Sequence, residues 1–321
     1  MLLSLFIILA LSFYIAWSIG TNDETMAAPV GCGVLKINLA LILGGILAIL
    51  GAFVMGVNVS ETIGEKLWTY NASDLEISII LLTMAIWLTI ASYRELPVST
   101  THSIIGTIFG IALVRGGLQY LNFDTLFFII AGWVLSPILG FVIAYVVEKG
   151  VHIAFVSKLK GLTDIEHFEK LSSYILVVAV MFTAFSRGAN DVANAVGILS
   201  KLYTIEFQYM LLWGGIGMAI GLLTLGRRVV KNVGVGITQM RPSSAMSAQI
   251  STMLVMFFGT YLGFPLSGTQ ILVAAIIGVG AASKQKISRK AVKEIVISWI
   301  ITFPISAVLG ICLLSIISFF I

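Results

Sequence analysis

The sequence predicts an all-α polytopic membrane protein built from two related halves. Three observations carry that expectation. The first is composition: 59% of the 321 residues are hydrophobic, only 11% are charged, and mean hydropathy is +1.05. A soluble domain carries roughly 25% charged residues. The second is the recurrence, along the whole chain, of apolar runs of about 18 residues or more, long enough to cross a hydrocarbon core of about 30 Å. The third is a set of polar motifs that return in the same order at nearly one spacing.

The apolar runs place about ten spans, at residues 2–19, 39–59, 77–93, 98–114, 126–147, 171–185, 210–225, 245–262, 267–282 and 295–320. The first has no basic residue before its apolar run and reads as a retained helix rather than a secretory signal. No stretch between spans is long enough to hold a separate catalytic domain. Lys and Arg crowd residues 149–170, 227–241 and 284–293. With one crossing per span, 15 of the 19 basic residues fall on one face, against Lys66, Arg115 and Lys201 on the other, with Arg187 at membrane depth. The positive-inside rule makes the crowded face cytoplasmic and puts both termini outside. Basic loops of this kind are topology signals, so no nucleic-acid partner is expected. Cys32 and Cys312 have neither zinc nor redox spacing. Trp68, Tyr70, Tyr120, Trp133 and Tyr203 lie near span ends, as interfacial anchors do.

The repetition is specific. Gly20-Thr21-Asn22-Asp23 answers Gly188-Ala189-Asn190-Asp191 at an offset of 168 residues, and Pro97-Val98-Ser99-Thr100-Thr101 answers Pro265-Leu266-Ser267-Gly268-Thr269 at 168 again. Glycines 44, 45, 51, 56 and 64 answer glycines 214, 215, 221, 226 and 234 at 170, and Trp133 and Pro137 answer Trp299 and Pro304 at 166 and 167. The chain therefore divides into a first repeat, 1–148, a polar cytoplasmic linker, 149–170, and a second repeat, 171–321. Each repeat holds five spans. An odd number makes the second enter the membrane in the opposite sense, giving inverted-topology repeats with discontinuous helices or helical hairpins at the midplane, a common transporter plan.

The repeated motifs are polar residues set in apolar surroundings, which are costly there unless they face protein, water or ions. Gly188-Ala189-Asn190-Asp191-Val192-Ala193-Asn194 interrupts an apolar stretch, and Gly188 is expected to let the helix break. Oxygen ligands from Asp, Asn and freed carbonyls suit a hard cation such as Na⁺; Asp191 equally suits a proton, and Asn194 suits interhelical bonding. The partner block adds Glu24, which fits a cation ligand, a proton acceptor or a carboxylate at a helix start. The second pair of motifs has a different chemistry. Proline and hydroxyls at a helix start present unpaired amides, a positive dipole end and several donors, an anion site when two converge. Arg187 suits either an ion pair with Asp23, Glu24 or Asp191 or attraction of the anion. His102 reads more readily as a packing residue than as a ligand. The glycine-rich face from Gly44 to Gly56 fits packing within one subunit or in a homodimer.

At these residues the chain resembles the inorganic phosphate transporter (PiT) family. GANDVANAVG at 188–197 and PVSTTH at 97–102 look like that family's signatures, and the resemblance covers nearly the whole chain. It implies a plasma-membrane symporter that carries inorganic phosphate with Na⁺ or, in other members, H⁺, by alternating access, with no cofactor beyond the coupling ion. It implies phosphate contacts at Ser99, Thr100, Thr101, Ser267 and Thr269, with Gly268 in the same motif. It puts Asp23 and Asp191 near the anion and its cations, and implies cation ligands around Asn22 and Asn190. Two departures stand out. The first repeat reads GTNDETMA, with Met26 in place of the second asparagine. The second reads PLSGTQ, where Gly268 removes a hydroxyl. Sulfate or another oxyanion is the alternative cargo. An intramembrane serine hydrolase built on Ser99, Ser103 and His102 lacks a nucleophile elbow, and its repeat holds Gln270 where a histidine would be needed. A channel fits polar groups at broken helices less well than a carrier does.

Overall fold

The computed structural model describes residues 2–93, 98–201, 206–236, 240–284 and 289–320. Among these residues the structure is helical throughout, with one isolated β-bridge between Trp68 and Leu121. The first half holds α1 (Leu2–Thr21), the short α2 (Ala27–Gly31), α3 (Ile37–Glu61), α4 (Asp74–Tyr93), α5 (Thr100–Arg115) and α6 (Phe123–Ala154). The second holds α7 (Leu162–Val196), α8 (Phe207–Gly221), α9 (Arg227–Gly236), α10 (Pro242–Tyr261), α11 (Gly268–Ala282) and α12 (Arg289–Phe320). A π-helical turn prolongs α3, and another joins α8 to α9. Each of the ten expected spans coincides with a helix. Residues 149–170 are largely the ends of α6 and α7. Pro97 and Tyr203 lie outside the described residues.

Among the described residues, seven helices are long and apolar enough to cross a membrane. Two expected spans are not full spans. α5 has 16 residues and α11 has 15, so at 1.5 Å per residue each reaches only about 22–24 Å. They are the returning arms of hairpins with α4 and α10. α10 has 20 residues but carries Ser243, Ser244, Ser247, Ser251 and Thr252, all buried, because it lies inside the bundle. Between α10 and α11 the backbone turns at Gly263 (φ 79°), a left-handed conformation that glycine adopts without steric cost.

The halves are interlaced. α5 packs on α12 and α11 on α6; α3 packs on α7 and α8 on α1; α1 packs on α4 and α7 on α10. Each contact thus has a counterpart with the halves exchanged. The same exchange holds at individual glycines. A side chain on Gly51 would collide with the Phe185 backbone, as one on Gly221 would with that of Trp17; Gly110 and Gly278 stand in the same relation to Ala307 and Phe141. α3 and its sequence counterpart α8 lie side by side and run antiparallel, with Gly44 against Leu222, Gly45 against Ala219, Gly215 against Ala52 and Gly56 against Leu211. The Gly44–Gly56 face is therefore filled within one chain.

Ties at the helix ends hold the hairpins. Buried Glu76, at the start of α4, accepts from Arg115 Nη1 at the end of α5 (2.7 Å) and from the Ser73 amide (2.8 Å). At the equivalent place in the second half, Glu148 of α6 accepts from Ser244 (2.9 Å) and Ser283 (2.7 Å), and Glu169 of α7 accepts from the Ser243 amide (2.9 Å). Trp133 is no interfacial anchor. It lies in the bundle, its Nε1 donating to Pro265 O (3.1 Å) and its ring 4.0 Å from that of His102.

Candidate functional site

The expected break in the second repeat does not occur. α7 runs unbroken through Gly188 and Asn194 to Val196. Gly188 is glycine for another reason: α3 crosses there, and a Cβ would press into the backbone of Ala48. The break is confined to the first repeat, between α1 and α2. There Asp23 Oδ1 accepts from the Thr25 amide (2.9 Å) and hydroxyl, local bonds that compete with helix continuation.

This break is laid against α7 at Arg187. The guanidinium is buried, with 6% of the residue exposed, and is met by three buried carboxylates. Nη1 lies 2.8 Å from Glu24 Oε1 and 3.3 Å from Asp23 Oδ1, and Nε lies 3.3 Å from Asp191 Oδ2 one turn along α7. Nη1 also donates to Thr25 Oγ1 (3.0 Å). All three candidate partners of Arg187 are thus engaged at once. With every group ionised, the cluster carries two negative charges beyond what Arg187 neutralises. Uncompensated charge out of contact with water costs several kcal/mol per ion, so the chemistry of such a cluster suits a cation or a proton.

The α11 start closes the cluster from the other side. Thr269 Oγ1 donates to Glu24 Oε1 (2.8 Å). Gly268 lies directly under the guanidinium: a Cβ would fall 2.7 Å from Arg187 Cδ and 2.9 Å from Cζ. Its lost hydroxyl is therefore the condition for Arg187 to lie where it does. Ser267 is the N-cap of α11 and makes no capping bond with its side chain.

The α5 start meets the α11 start beside this cluster. Thr101 Oγ1 donates to Leu266 O (2.9 Å) and accepts from Asn194 Nδ2 (3.1 Å). Asn194 Nδ2 also reaches Thr100 Oγ1 (3.4 Å), and Ser99 Oγ accepts from the His102 amide (3.3 Å) as the helix cap. Asn190 is occupied structurally. Its Nδ2 donates to Thr260 Oγ1 (3.0 Å) and Phe264 O (2.8 Å), and its Oδ1 accepts from the Leu266 amide (3.0 Å). It pins the α10–α11 turn to α7. Asn22 is exposed and turns its amide back to Ser18 O (3.1 Å). Of the expected site residues, the structure gathers Asp23, Glu24, Asp191, Gly268 and Thr269 around Arg187. It sets Ser99, Thr100, Thr101 and Ser267 at the adjoining helix starts, and directs the amides of Asn22 and Asn190 to the protein itself. Thr25 and Thr260 had no signal in the sequence beyond their nearness to the motifs.

Three buried polar atoms around the two helix starts have no hydrogen-bond partner among the described residues: Asn194 Oδ1, His102 Nε2 and Gln270 Oε1. His102 and Gln270 are equivalent positions of the two repeats. Buried polar groups are otherwise almost always paired, so these atoms point to a ligand or ordered water at the junction. His102 Nδ1 is engaged by Trp299 O (3.1 Å) and Ser103 Oγ donates to Ser99 O (3.2 Å), so neither of these groups pairs with the other.

Comparison with known proteins agrees with this chemistry. A sequence model described as the phosphate transporter family matches residues 19–310. A protein of Pyrococcus furiosus named as a phosphate permease is 31% identical over 95% of this chain and 94% of its own. The chloroplastic inorganic phosphate transporter 2-1 of Arabidopsis thaliana is 28% identical over 94% of this chain and 70% of its own. A solved structure titled the sodium-dependent phosphate transporter superposes with a TM-score of 0.87 at 27% identity, covering 99% of this chain and all of that one.

Proposed function

The chain belongs to the phosphate transporter family, and from that premise we propose that it is a Na⁺-coupled phosphate symporter working by alternating access. Family membership makes it a multi-pass membrane transporter of phosphate and not an enzyme. The observation that carries Na⁺ coupling and alternating access is the Arg187 cluster, whose three buried carboxylates exceed its single guanidinium. A second anion cannot enter such a place alone, because like charges repel strongly away from water. Cations bound at Asp23 and Asp191 lower that repulsion, and phosphate then uses donors at the α5 and α11 starts: Ser99, Thr100, Thr101, Ser267 and Thr269. Helix N-termini favour anions, and the unpaired Asn194 Oδ1 and Gln270 Oε1 supply further groups for a hydrated ion. Na⁺ is favoured over H⁺ because the donors gathered there are hard oxygens and because the structural relative is named as sodium-dependent.

Alternation follows from the interlaced plan. We take 1–148 and 171–321 as inverted repeats joined by 149–170; the antiparallel run of α3 beside α8 and the exchanged packing of α5 and α11 support this. The site lies where the two hairpins meet, so rocking one half against the other changes which side it opens to. We also place the protein in the plasma membrane with the basic loops cytoplasmic and both termini outside. We propose a homodimer that uses faces other than the filled Gly44–Gly56 stripe.

The test is ³²P-phosphate uptake into proteoliposomes with an inward Na⁺ gradient, a proton gradient or neither, and excess sulfate as competitor. Na⁺-driven uptake that resists sulfate is the expected result. Uptake driven by protons alone removes Na⁺ coupling, and preferential sulfate uptake makes the cargo another oxyanion.

A further inference from the structure

Glu24 stands out among the site residues because it takes up donors that a substrate needs. Its Oε1 accepts from Arg187 Nη1 (2.8 Å) and from Thr269 Oγ1 (2.8 Å) at the same time. A guanidinium beside a hydroxyl on the first turn of a helix is the donor set that recognises an oxyanion. Both donors belong to the second half of the chain, whereas Glu24 comes from the first, from the non-helical segment between α1 and α2. Such a segment changes its backbone angles without disrupting a helix. Gln270 Oε1, one residue beyond Thr269, is buried without a partner, so the surroundings hold polar capacity that Glu24 does not use. Gly268, whose missing side chain admits the guanidinium, completes the arrangement. The first repeat's added carboxylate and the second repeat's missing hydroxyl are thus two parts of one contact.

We propose that Glu24 is a tethered anion that holds the substrate's place in the unloaded carrier, and that phosphate binds by displacing it from Thr269 and Arg187. The proposal rests on the phosphate-transport reading above. An anion cannot share Arg187 Nη1 and Thr269 Oγ1 with a carboxylate already bound there, so the two compete. The tether keeps Arg187 paired when no substrate is present and lowers the apparent affinity for phosphate by the fraction of time that Glu24 is seated. If Glu24 is seated for about nine-tenths of the time, that reduction is about tenfold.

The experiment measures ³²P-phosphate binding to detergent-purified protein at saturating Na⁺, for the wild type, Glu24→Gln and Glu24→Asp. The glutamine removes the competing charge. The aspartate keeps a charge beside Arg187 but shortens the arm that reaches Thr269, so it preserves folding where the glutamine does not. The half-saturating phosphate concentration is expected to fall by roughly 3–10-fold in Glu24→Gln and by less in Glu24→Asp. The result is read on whichever variant elutes as a single species. A half-saturating concentration that rises or stays unchanged overturns the tether and makes Glu24 a cation ligand or a structural partner of Arg187. Absence of binding in the wild type as well counts against phosphate transport itself, so the two failures are told apart.

Discussion

Replacing Gly268 with alanine adds one methyl group at the point where Arg187 passes closest to α11. The new Cβ would lie 2.7 Å from Arg187 Cδ and 2.9 Å from Cζ, well inside van der Waals contact. The guanidinium must shift to admit it, and its contacts with the three carboxylates are what the shift disturbs. Weakening those contacts leaves Asp23, Glu24 and Asp191 short of their counter-ion in a place where each residue is at least nine-tenths buried. Breaking a buried ion pair from one side costs about 3–5 kcal/mol. The assay is thermal unfolding in detergent, followed by fluorescence and size exclusion, for Gly268→Ala, Arg187→Ala and the double variant. Gly268→Ala is expected to lower the midpoint by several degrees and to abolish uptake. In the Arg187→Ala background the three atoms nearest that methyl group are gone, so the double variant should lie close to Arg187→Ala alone, with a coupling between the sites of more than about 1 kcal/mol. Strictly additive effects, or a Gly268→Ala protein as stable as the wild type, would show that the guanidinium does not rest on Gly268.

Other consequences follow from single contacts. Asp191→Asn keeps the size of the side chain but removes a charge from the cluster; it should abolish Na⁺-driven uptake while membrane insertion is unchanged, as read by flotation and uptake together. Asn190→Ala removes three hydrogen bonds that pin the α10–α11 turn; at about 1 kcal/mol each it should cost about 3 kcal/mol in unfolding experiments, more than Asn22→Ala. Outside the spans, burial and then nearby Glu169 push the Cys32 thiol up to about 11. Since the thiolate is the reactive form, maleimide labelling of Cys32 at pH 8 should run roughly 100-fold slower than that of an ordinary thiol and accelerate as pH approaches 11.

Much of the architecture was legible because lipid imposes a simple pattern on sequence. Apolar runs located the helices, and the 168-residue offset paired helices whose packing is exchanged between the halves. The Ser99 and Ser267 motifs marked the starts of α5 and α11. The sequence could not say what each glycine was for. Gly188 follows Arg187 and Gly263 lies between Leu262 and Phe264, and neither setting reveals that Gly188 admits a crossing helix while Gly263 turns the chain. Nor could it show that α5 packs on α12 instead of its neighbour α6, since lipid-facing and helix-facing apolar residues look alike. Asp23 and Asp191 were legible as costly residues in apolar surroundings. Their common partner, Arg187, appeared only as one possibility, because pairing across 163 positions with Glu24 is a tertiary fact. The same holds for Gly268. Its missing hydroxyl reads as a loss in isolation and as a fitted surface once Arg187 lies against it.

The central claim is that anion and cation occupy one charge-coupled site, and linkage tests it most directly. Phosphate binding should be measured on the purified wild-type protein across a Na⁺ series at constant ionic strength, with choline as replacement, and Na⁺ binding measured in turn across a phosphate series. Na⁺ is expected to tighten phosphate binding by at least about tenfold, and phosphate to tighten Na⁺ binding by the same factor, as linkage requires. Phosphate affinity that is independent of Na⁺ would contradict that claim.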